Sequence, residues 1–148
     1  MKNLITCLTV FVLSGAAFAT TWTVNGDGGA DFFKIQAAVN AASDGDEIIV
    51  FPGTYTRNSS PVVEISDKSL WIHSSDGPEV TMISGQGIRQ CMFLINSDST
   101  IEGFTIQNGV DSIVGGMFVF ASEATITDCI FFNNEGFLRC KACRPSLL

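Results

Sequence analysis

Basic residues are scarce in this sequence. Among its 148 residues, Lys and Arg number 8 and Asp and Glu number 15, which gives a formal net charge of −7. Proteins that bind nucleic acid need clustered Lys and Arg to neutralise phosphates, so a nucleic-acid partner is not expected. Charged residues are only 16% of the chain, and hydrophobic residues are 46%. That composition excludes an intrinsically disordered protein and indicates a chain that folds around an apolar core.

Long apolar runs are also few, and the longest lies near the N-terminus. It extends over residues 4–13, about half of the roughly 20 residues that a membrane-spanning helix needs. Because it follows Lys2 and precedes the small residues Ala17 and Ala19, it is typical of a secretory signal peptide covering residues 1–19. No later run is long enough to cross a bilayer. We therefore expect a secreted, periplasmic or cell-surface protein without a transmembrane segment.

Cysteine beyond this leader is limited to Cys91, Cys129, Cys140 and Cys143. Four cysteines allow three disulfide pairings, and the sequence does not choose among them. Export would permit such bonds. The spacing of Cys140 and Cys143 also occurs in zinc and redox sites, but zinc would need a second pair of ligands, and a redox pair should open a helix after a strand. An Arg-Pro pair follows instead, so no functional site is expected there.

An internal repeat organises the second half of the chain. Residues 92–109 align with residues 117–134 at a shift of 25 positions, and 6 of the 18 aligned positions are identical. A weaker copy begins at residues 63–66 and is interrupted by an inserted loop at residues 74–80. Within each unit, short stretches of alternating apolar residues are separated by polar turns, which predicts short strands without intervening helices.

Such a unit cannot bury its apolar side alone. Stacking the next unit about 4.8 Å away places like residues over like and completes the backbone hydrogen bonds, so the repeat predicts a parallel β-helix. The predicted inward columns are Phe93 under Phe118, Ile95 under Phe120, Ile101 under Ile126 and Ile106 under Phe131, with an amide ladder of Asn108 and Asn133 at a bend.

A short helix is predicted ahead of the first coil, at residues 31–42. Asp31 is placed to cap its first amides, and a first strand follows at residues 47–51. The helix would cover the open apolar end of the coil stack. Its apolar face comprises Phe32, Ile35, Val39 and Ala42.

Three segments carry a resemblance to a known superfamily. Residues 31–39, residues 45–55 and the repeat at residues 101–109 resemble the right-handed parallel β-helix proteins of the pectin lyase-like superfamily. The resemblance extends over about residues 22–135 and implies an all-β fold, a right-handed parallel β-helix (solenoid) with a short N-terminal capping α-helix. The superfamily includes pectate and pectin lyases, polygalacturonases, pectin methylesterases and adhesins, so the fold alone does not fix an activity.

From this resemblance and the predicted export, we expect a non-catalytic extracellular or surface binding role. The expected partner is extracellular polysaccharide or a cell-surface component. One alternative is the N-terminal portion of a polysaccharide lyase, glycoside hydrolase or pectin esterase whose catalytic coils are missing. Another is an adhesin or an autotransporter-like passenger.

The sequence does not assign catalytic residues. Pectin methylesterases use two aspartates, a glutamine and an arginine, but residues 115–117 and 133–136 of this chain stand where that glutamine and the first aspartate are expected. A lyase would need calcium-binding carboxylates and a basic residue. Here Glu102 and Asp128 are the only acids near the repeat strands, and Arg89 is the only base in that region. We therefore assign no catalytic, cofactor-binding or metal-binding residue and expect no cofactor.

A few single residues have both a functional and a structural interpretation. His73 is the only histidine, but a general base needs an orienting partner, and the sequence names none. Trp71, Trp22 and Tyr55 have flat apolar faces that stack on sugar rings, although packing is the more common role. Residues 25–31 carry oxygen ligands for calcium but lack the spaced acids of a calcium loop, so a turn leading into the helix is expected.

The composition changes near the C-terminal end. Residues 20–135 contain 4 bases and 15 acids, a net charge of 4 − 15 = −11, whereas residues 136–148 contain 3 bases and no acid. The repeat also stops at Asn134 without a closing coil. We interpret residues 20–135 as the β-helix and residues 136–148 as an atypical tail, and we expect the chain to be the N-terminal part of a longer β-helix. The open last coil is then a candidate surface for self-association.

Overall fold

A computed structural model describes residues 19–136, which form a parallel β-solenoid of fourteen short strands and one short helix. The predicted all-β class, the parallel stacking and the single helix are confirmed. The predicted leader and tail lie outside the described residues apart from Ala19 and Gly136, so the division of the chain at residues 19 and 135 stays a prediction. Within residues 19–136, no helix is long and apolar enough to cross a membrane.

The strands, numbered in chain order, form four parallel sheets around the solenoid. The first sheet has one strand from each of five levels, in the order β1 (Thr21–Val24), β2 (Glu47–Val50), β5 (Trp71–Ser74), β8 (Thr100–Glu102) and β12 (Thr125–Thr127). The second contains β3 (Gly53–Tyr55), β6 (Thr81–Ser84), β9 (Thr105–Gln107) and β13 (Ile130–Phe132). The third contains β4 (Val63–Ser66), β7 (Met92–Ile95) and β11 (Met117–Phe120), and the fourth pairs β10 (Val110–Asp111) with β14 (Glu135–Gly136).

The predicted 25-residue register between the last two levels is confirmed. Met92 pairs with Met117 across the third sheet, and Ile101 pairs with Ile126 across the first. The weaker copy is also confirmed, because Val63 pairs with Met92. Equivalent residues therefore lie one above the other, and each level completes the backbone hydrogen bonds of the level below it.

The inserted loop falls between β5 and β6. Trp71 pairs with Thr100, which is 29 positions later, whereas Met82 pairs with Thr105, only 23 positions later. The 29 − 23 = 6 extra residues lie in the loop that the sequence places at residues 74–80. The sheets remain in register because the extra residues are accommodated outside the strands.

Two of the four predicted inward columns are wrong. In β7, Met92 and Leu94 are fully buried, whereas Phe93 and Ile95 are only partly buried and lie on the outer face. Phe93 still lies under Phe118, but on the outside of the solenoid, where their rings stack at 5.5 Å. Side chains alternate between the two faces of a strand, and all four residues of β7 are apolar, so the pattern cannot choose the buried face.

The other two columns have the predicted orientation, since Ile101 and Ile106 are fully buried. Each buried aliphatic side chain contributes roughly 1.5–3 kcal/mol, so the columns hold the levels together. The main interior columns are Ile48, Ile72, Ile101 and Ile126 in the first sheet, Tyr55, Ile83, Ile106 and Phe131 in the second, and Ile65, Leu94 and Val119 in the third.

The predicted amide ladder is confirmed at one corner and repeated at another. Asn133 Nδ2 donates to Asn108 Oδ1 at 2.7 Å, and Asn96 Nδ2 donates to Asp67 Oδ1 at 2.9 Å. All four residues have positive φ. Asn and Asp tolerate this left-handed conformation better than other non-glycine residues, so they suit corners where the chain turns between sheets.

Helix α1 (Ile35–Ala41) lies at the N-terminal end of the solenoid and buries Ile35, Ala38 and Val39 against the core. The prediction that Asp31 caps this helix is wrong, because the N-cap position is Lys34 and no side chain caps it. The Asp31 carboxylate instead accepts hydrogen bonds from the backbone and side chain of Thr23. It therefore joins the turn to β1 rather than to the helix.

The opposite end of the described solenoid is open. Val119, Ile126 and Phe131 continue buried columns of the level below, yet their side chains are 38%, 37% and 51% exposed. The described residues place no further level over them. β11, β12 and β13 are the last strands of their sheets at this end, so within residues 19–136 their outer edges are unpaired.

Candidate binding face on the first sheet

The outer face of the first sheet gathers polar and aromatic side chains from four strands. β1, β2 and β5 pair so that Thr21, Glu47 and Trp71 occupy one row. Two residues further along β5, His73 pairs with Glu102 of β8. Because alternate residues point to the same side of a strand, these five side chains share one surface, which we call the Trp71 cluster.

Glu47 and His73 form the only contact with salt-bridge geometry among residues 19–136. Their side chains are 24% and 18% exposed, and His73 Nε2 lies 3.0 Å from Glu47 Oε1. The other carboxylate oxygen accepts a hydrogen bond from Thr21 Oγ1 at 2.7 Å. The Thr21 hydroxyl and then the His73 ring lower the pKa of Glu47. Glu47 is therefore ionised at neutral pH and acts as a fixed acceptor.

Trp71 is the most exposed aromatic ring of the cluster, with 45% of the residue accessible to solvent. Its ring stacks on His73 with centroids 4.5 Å apart and an interplanar angle of 27°. Its Nε1 donates to Glu102 Oε2 at 3.2 Å. The indole is thus held at both its face and its polar edge, and it presents an oriented apolar surface between two carboxylates.

The arrangement suits binding better than proton transfer. His73 Nε2 faces Glu47, and His73 Nδ1 lies 3.3 Å from the carbonyl oxygen of Ser74. Both ring nitrogens therefore lie against oxygen atoms of the protein, whereas a general base needs a nitrogen directed at the substrate. The oriented indole and the carboxylate oxygens can instead contact a ligand that has both apolar faces and hydroxyl groups.

Trp22 and Tyr55, the two other aromatic candidates, are structural. Trp22 Nε1 donates to Asp46 Oδ2 at 3.0 Å, and the ring packs against the core. Tyr55 is 5% exposed, and its hydroxyl donates to the carbonyl of Phe51 at 2.7 Å. Of the three aromatic residues that the sequence singled out for sugar contact, only Trp71 is available for it.

The positions compared with pectin methylesterase hold packing residues. The side-chain oxygen of Asn134 accepts a hydrogen bond from the Gly109 amide at 2.8 Å, and its side-chain nitrogen donates to the Ile106 carbonyl at 2.8 Å. At Gly115, a side chain would collide with the carbonyl oxygens of Gly109 and Glu135. These residues bring adjacent levels close together.

The remaining candidates do not form a site. Among residues 19–136, no group of three or more His, Cys, Asp or Glu side chains is arranged to hold a metal ion. Arg89 donates to Gln86 Oε1 at 2.8 Å. Asp128 lies at a left-handed corner with φ 48°.

The two cysteines in the described part of the chain are not bonded to each other. Cys91 is buried and Cys129 partly buried, and neither forms a disulfide within residues 19–136. Burial raises the pKa of Cys91 to about 11 and also raises the pKa of Cys129. Neither thiol is therefore activated as a nucleophile. Cys140 and Cys143 lie outside the described residues.

Thr21 and Glu47 are the two members of the cluster that the sequence did not single out. A signal for Glu47 existed, because Glu47 and Trp71 are 24 positions apart, close to the repeat length, and pair in the first sheet. Finding it required extending the repeat to the first two coils. Their loops differ in length, so the alignment at a constant shift does not reach them.

No protein-family model matches this chain, and no curated protein or solved structure matches it. Function is therefore inferred from the Trp71 cluster itself.

Proposed function

We propose that this protein is an exported right-handed parallel β-helix of the pectin lyase-like kind, with a non-catalytic role in binding extracellular polysaccharide. The observation that carries the proposal is the oriented, 45% exposed Trp71 ring between Glu47 and Glu102. A sugar has apolar ring faces and peripheral hydroxyl groups. The indole can stack on such a face, while ionised carboxylates accept hydrogen bonds from hydroxyls.

The negative charge of the solenoid limits which polysaccharides the Trp71 cluster is expected to bind. Residues 20–135 have a net charge of −11, and the Trp71 cluster itself contains two carboxylates and one histidine. A polyanion such as polygalacturonate would be repelled from this surface. The proposed ligand is therefore an uncharged polysaccharide or one that carries amino groups.

A catalytic role is the second candidate, and the Glu47–His73 pair favours it, because the carboxylate orients the ring as it would for a general base. In that case the chain would be the N-terminal portion of a polysaccharide-degrading enzyme. The engagement of both ring nitrogens favours binding instead. Release of reducing ends, unsaturated products or methanol from pectin or polygalacturonate, lost in Glu47→Gln, would support the enzyme.

Affinity electrophoresis in gels that contain a neutral β-glucan, chitosan or polygalacturonate tests the proposal. We expect the neutral or amino-sugar polymer to retard the protein, and we expect Trp71→Ala to weaken that binding about tenfold, equal to about 1.4 kcal/mol. The matched control is Phe33→Ala, which removes a 65% exposed aromatic ring outside the cluster. Equal mobility of the wild type and Trp71→Ala in every gel would refute the proposal.

A further inference from the structure

The few basic residues of the described chain are concentrated in one place. Residues 19–136 contain Lys34, Arg57, Lys68 and Arg89 against 15 acids. Three of these four bases, all except Arg89, line a groove beside helix α1. A scattered distribution would place them among the acids, so this grouping marks the groove as a local positive surface on an acidic solenoid.

The groove consists of two adjoining hollows of about 220 and 250 Å³. Gln36, Asn40 and Arg57 line both hollows, whereas Lys34 lines the first and Lys68 the second. Each hollow approaches the size of a small-molecule site. Together they offer amide groups and basic side chains over a partly apolar floor.

None of these three bases forms a salt bridge with a carboxylate within residues 19–136, although the Thr20 amide and other hydrogen-bond donors, and then the charge of Lys68, lower the pKa of Asp46. The only contact with salt-bridge geometry among the described residues is that of His73 and Glu47, on the first sheet. Lys34 makes no side-chain hydrogen bond within residues 19–136, and Arg57 directs Nη1 to the carbonyl of Pro61 at 3.3 Å, which leaves other guanidinium donors unengaged. Lys68 donates to the carbonyls of Val39 and Ala42, so its charge is held against the end of the helix.

The donors available in the first hollow favour a carboxylate. A guanidinium presents parallel N–H groups that match the two oxygens of a carboxylate, and a nearby ammonium adds a point charge. Arg57 and Lys34 supply these two groups. The second hollow includes Glu64, which repels an anion, so the acidic end of a ligand belongs in the first hollow and its uncharged polar part toward the second.

We propose that this groove is a second binding site, which takes a small polar molecule carrying a carboxylate, of the size of a sugar acid. The site lies apart from the Trp71 cluster, and the inference does not depend on the function proposed for that cluster.

Isothermal titration with glucuronate tests the site, with glucose as the uncharged probe of the same shape. We expect glucuronate to bind, glucose not to bind, and Arg57→Gln to weaken glucuronate binding at least tenfold. The matched control is Arg89→Gln, which removes the same charge outside the groove and should bind as the wild type does. Because Arg57→Gln also loses its bond to the Pro61 carbonyl, Lys34→Gln provides a second variant with no hydrogen bond to lose, and it should weaken binding several-fold.

The outcomes separate the site from a general charge effect. No heat with glucuronate, or equal weakening by Arg57→Gln and Arg89→Gln, would overturn the proposal. Inorganic sulfate that binds as tightly as glucuronate would overturn the carboxylate assignment. Retention of glucuronate binding in Trp71→Ala would support a separate site, whereas its loss there would contradict one.

Discussion

The two ends of the described solenoid differ in whether the apolar interior is covered. At the N-terminal end, helix α1 covers the apolar interior and buries Ile35 and Val39. At the other end, Ile126 and Phe131 continue the same kind of column but are 37% and 51% exposed. The two ends therefore have similar interior residues and differ in what covers them.

The covered end also closes an exposed strand edge. β4 is the outermost strand of the third sheet, and Gln36 of the helix pairs with it as another strand would. The Glu64 amide donates to Gln36 Oε1 at 2.6 Å, and Gln36 Nε2 donates to the Glu64 carbonyl at 3.1 Å. The comparison shows that a single short helix can protect both the core and an edge, and that residues 19–136 supply neither form of protection at the other end.

The largest expected effect on stability comes from truncating the interior isoleucine column of the first sheet at two different levels. Ile101→Ala removes a fully buried side chain and should lower the free energy of unfolding by about 2–5 kcal/mol, because it leaves a cavity. Ile126→Ala removes the residue directly above it, which is already exposed to water, and should cost about 1 kcal/mol or less. Urea denaturation of both variants measures the difference.

Equal losses at these two positions would contradict the comparison. That result would mean that Ile126 is covered in solution, by another part of the chain or by another molecule. A difference of several kcal/mol would confirm that coverage, and not side-chain type, sets the contribution of each level.

A second, smaller effect is the dependence of stability on pH through Asp46, at the covered end. Asp46 is buried, and its carboxylate accepts hydrogen bonds from the amides of Thr20 and Ser43 and from Trp22 Nε1. These bonds, led by the Thr20 amide, lower the pKa of Asp46 from its ordinary value of 3.8. A lowered pKa in the folded state adds stability above pH 4, and that stability is lost as the pH falls through the folded value.

Asp46→Asn should therefore lower stability at pH 7 by about 1–3 kcal/mol, because the amide nitrogen cannot accept the bonds that the carboxylate oxygen accepts. The variant should also show a shallower loss of stability between pH 5 and about pH 2. Thermal unfolding across this range measures both effects. Asp27→Asn is the control, since within the described residues the Asp27 carboxylate accepts no hydrogen bond. Parallel pH profiles for the wild type and Asp46→Asn would contradict the assignment.

Much of the fold could be predicted because it depends on repetition. Identical or similar residues at positions 25 apart identify strands that lie in register, and the structure confirms this from Met92 over Met117 to Asn108 over Asn133. The buried face of β7 could not be predicted, because both of its faces are apolar. The prediction that Asp31 caps the helix was wrong for a different reason. Asp31 has a nearer partner in Thr23, and spacing along the chain does not reveal that competition.

The candidate site was only partly predictable. Trp71 and His73 stand out as rare residue types in the sequence, but their partners Glu47 and Glu102 come from strands 24–26 and 29–31 positions away. Those distances depend on the lengths of two loops, and loop lengths are not constrained by the repeat. The groove beside helix α1 depends on the helix position in the same way, so its bases look unrelated in the sequence.

The smallest expected effect sharpens the comparison at the edge of β4. Gln36→Ala removes both hydrogen bonds to Glu64, and at about 0.5–1 kcal/mol for each of these exposed bonds it should cost about 1–2 kcal/mol in urea denaturation. Hydrogen exchange at the Glu64 amide should quicken with it, because this edge would then resemble the uncovered edges at the other end. Asn40→Ala is the matched control, since among the described residues the Asn40 side chain bonds only to Gln36. Unchanged exchange at Glu64 in Gln36→Ala would show that the edge is protected by the body of the helix and not by this side chain.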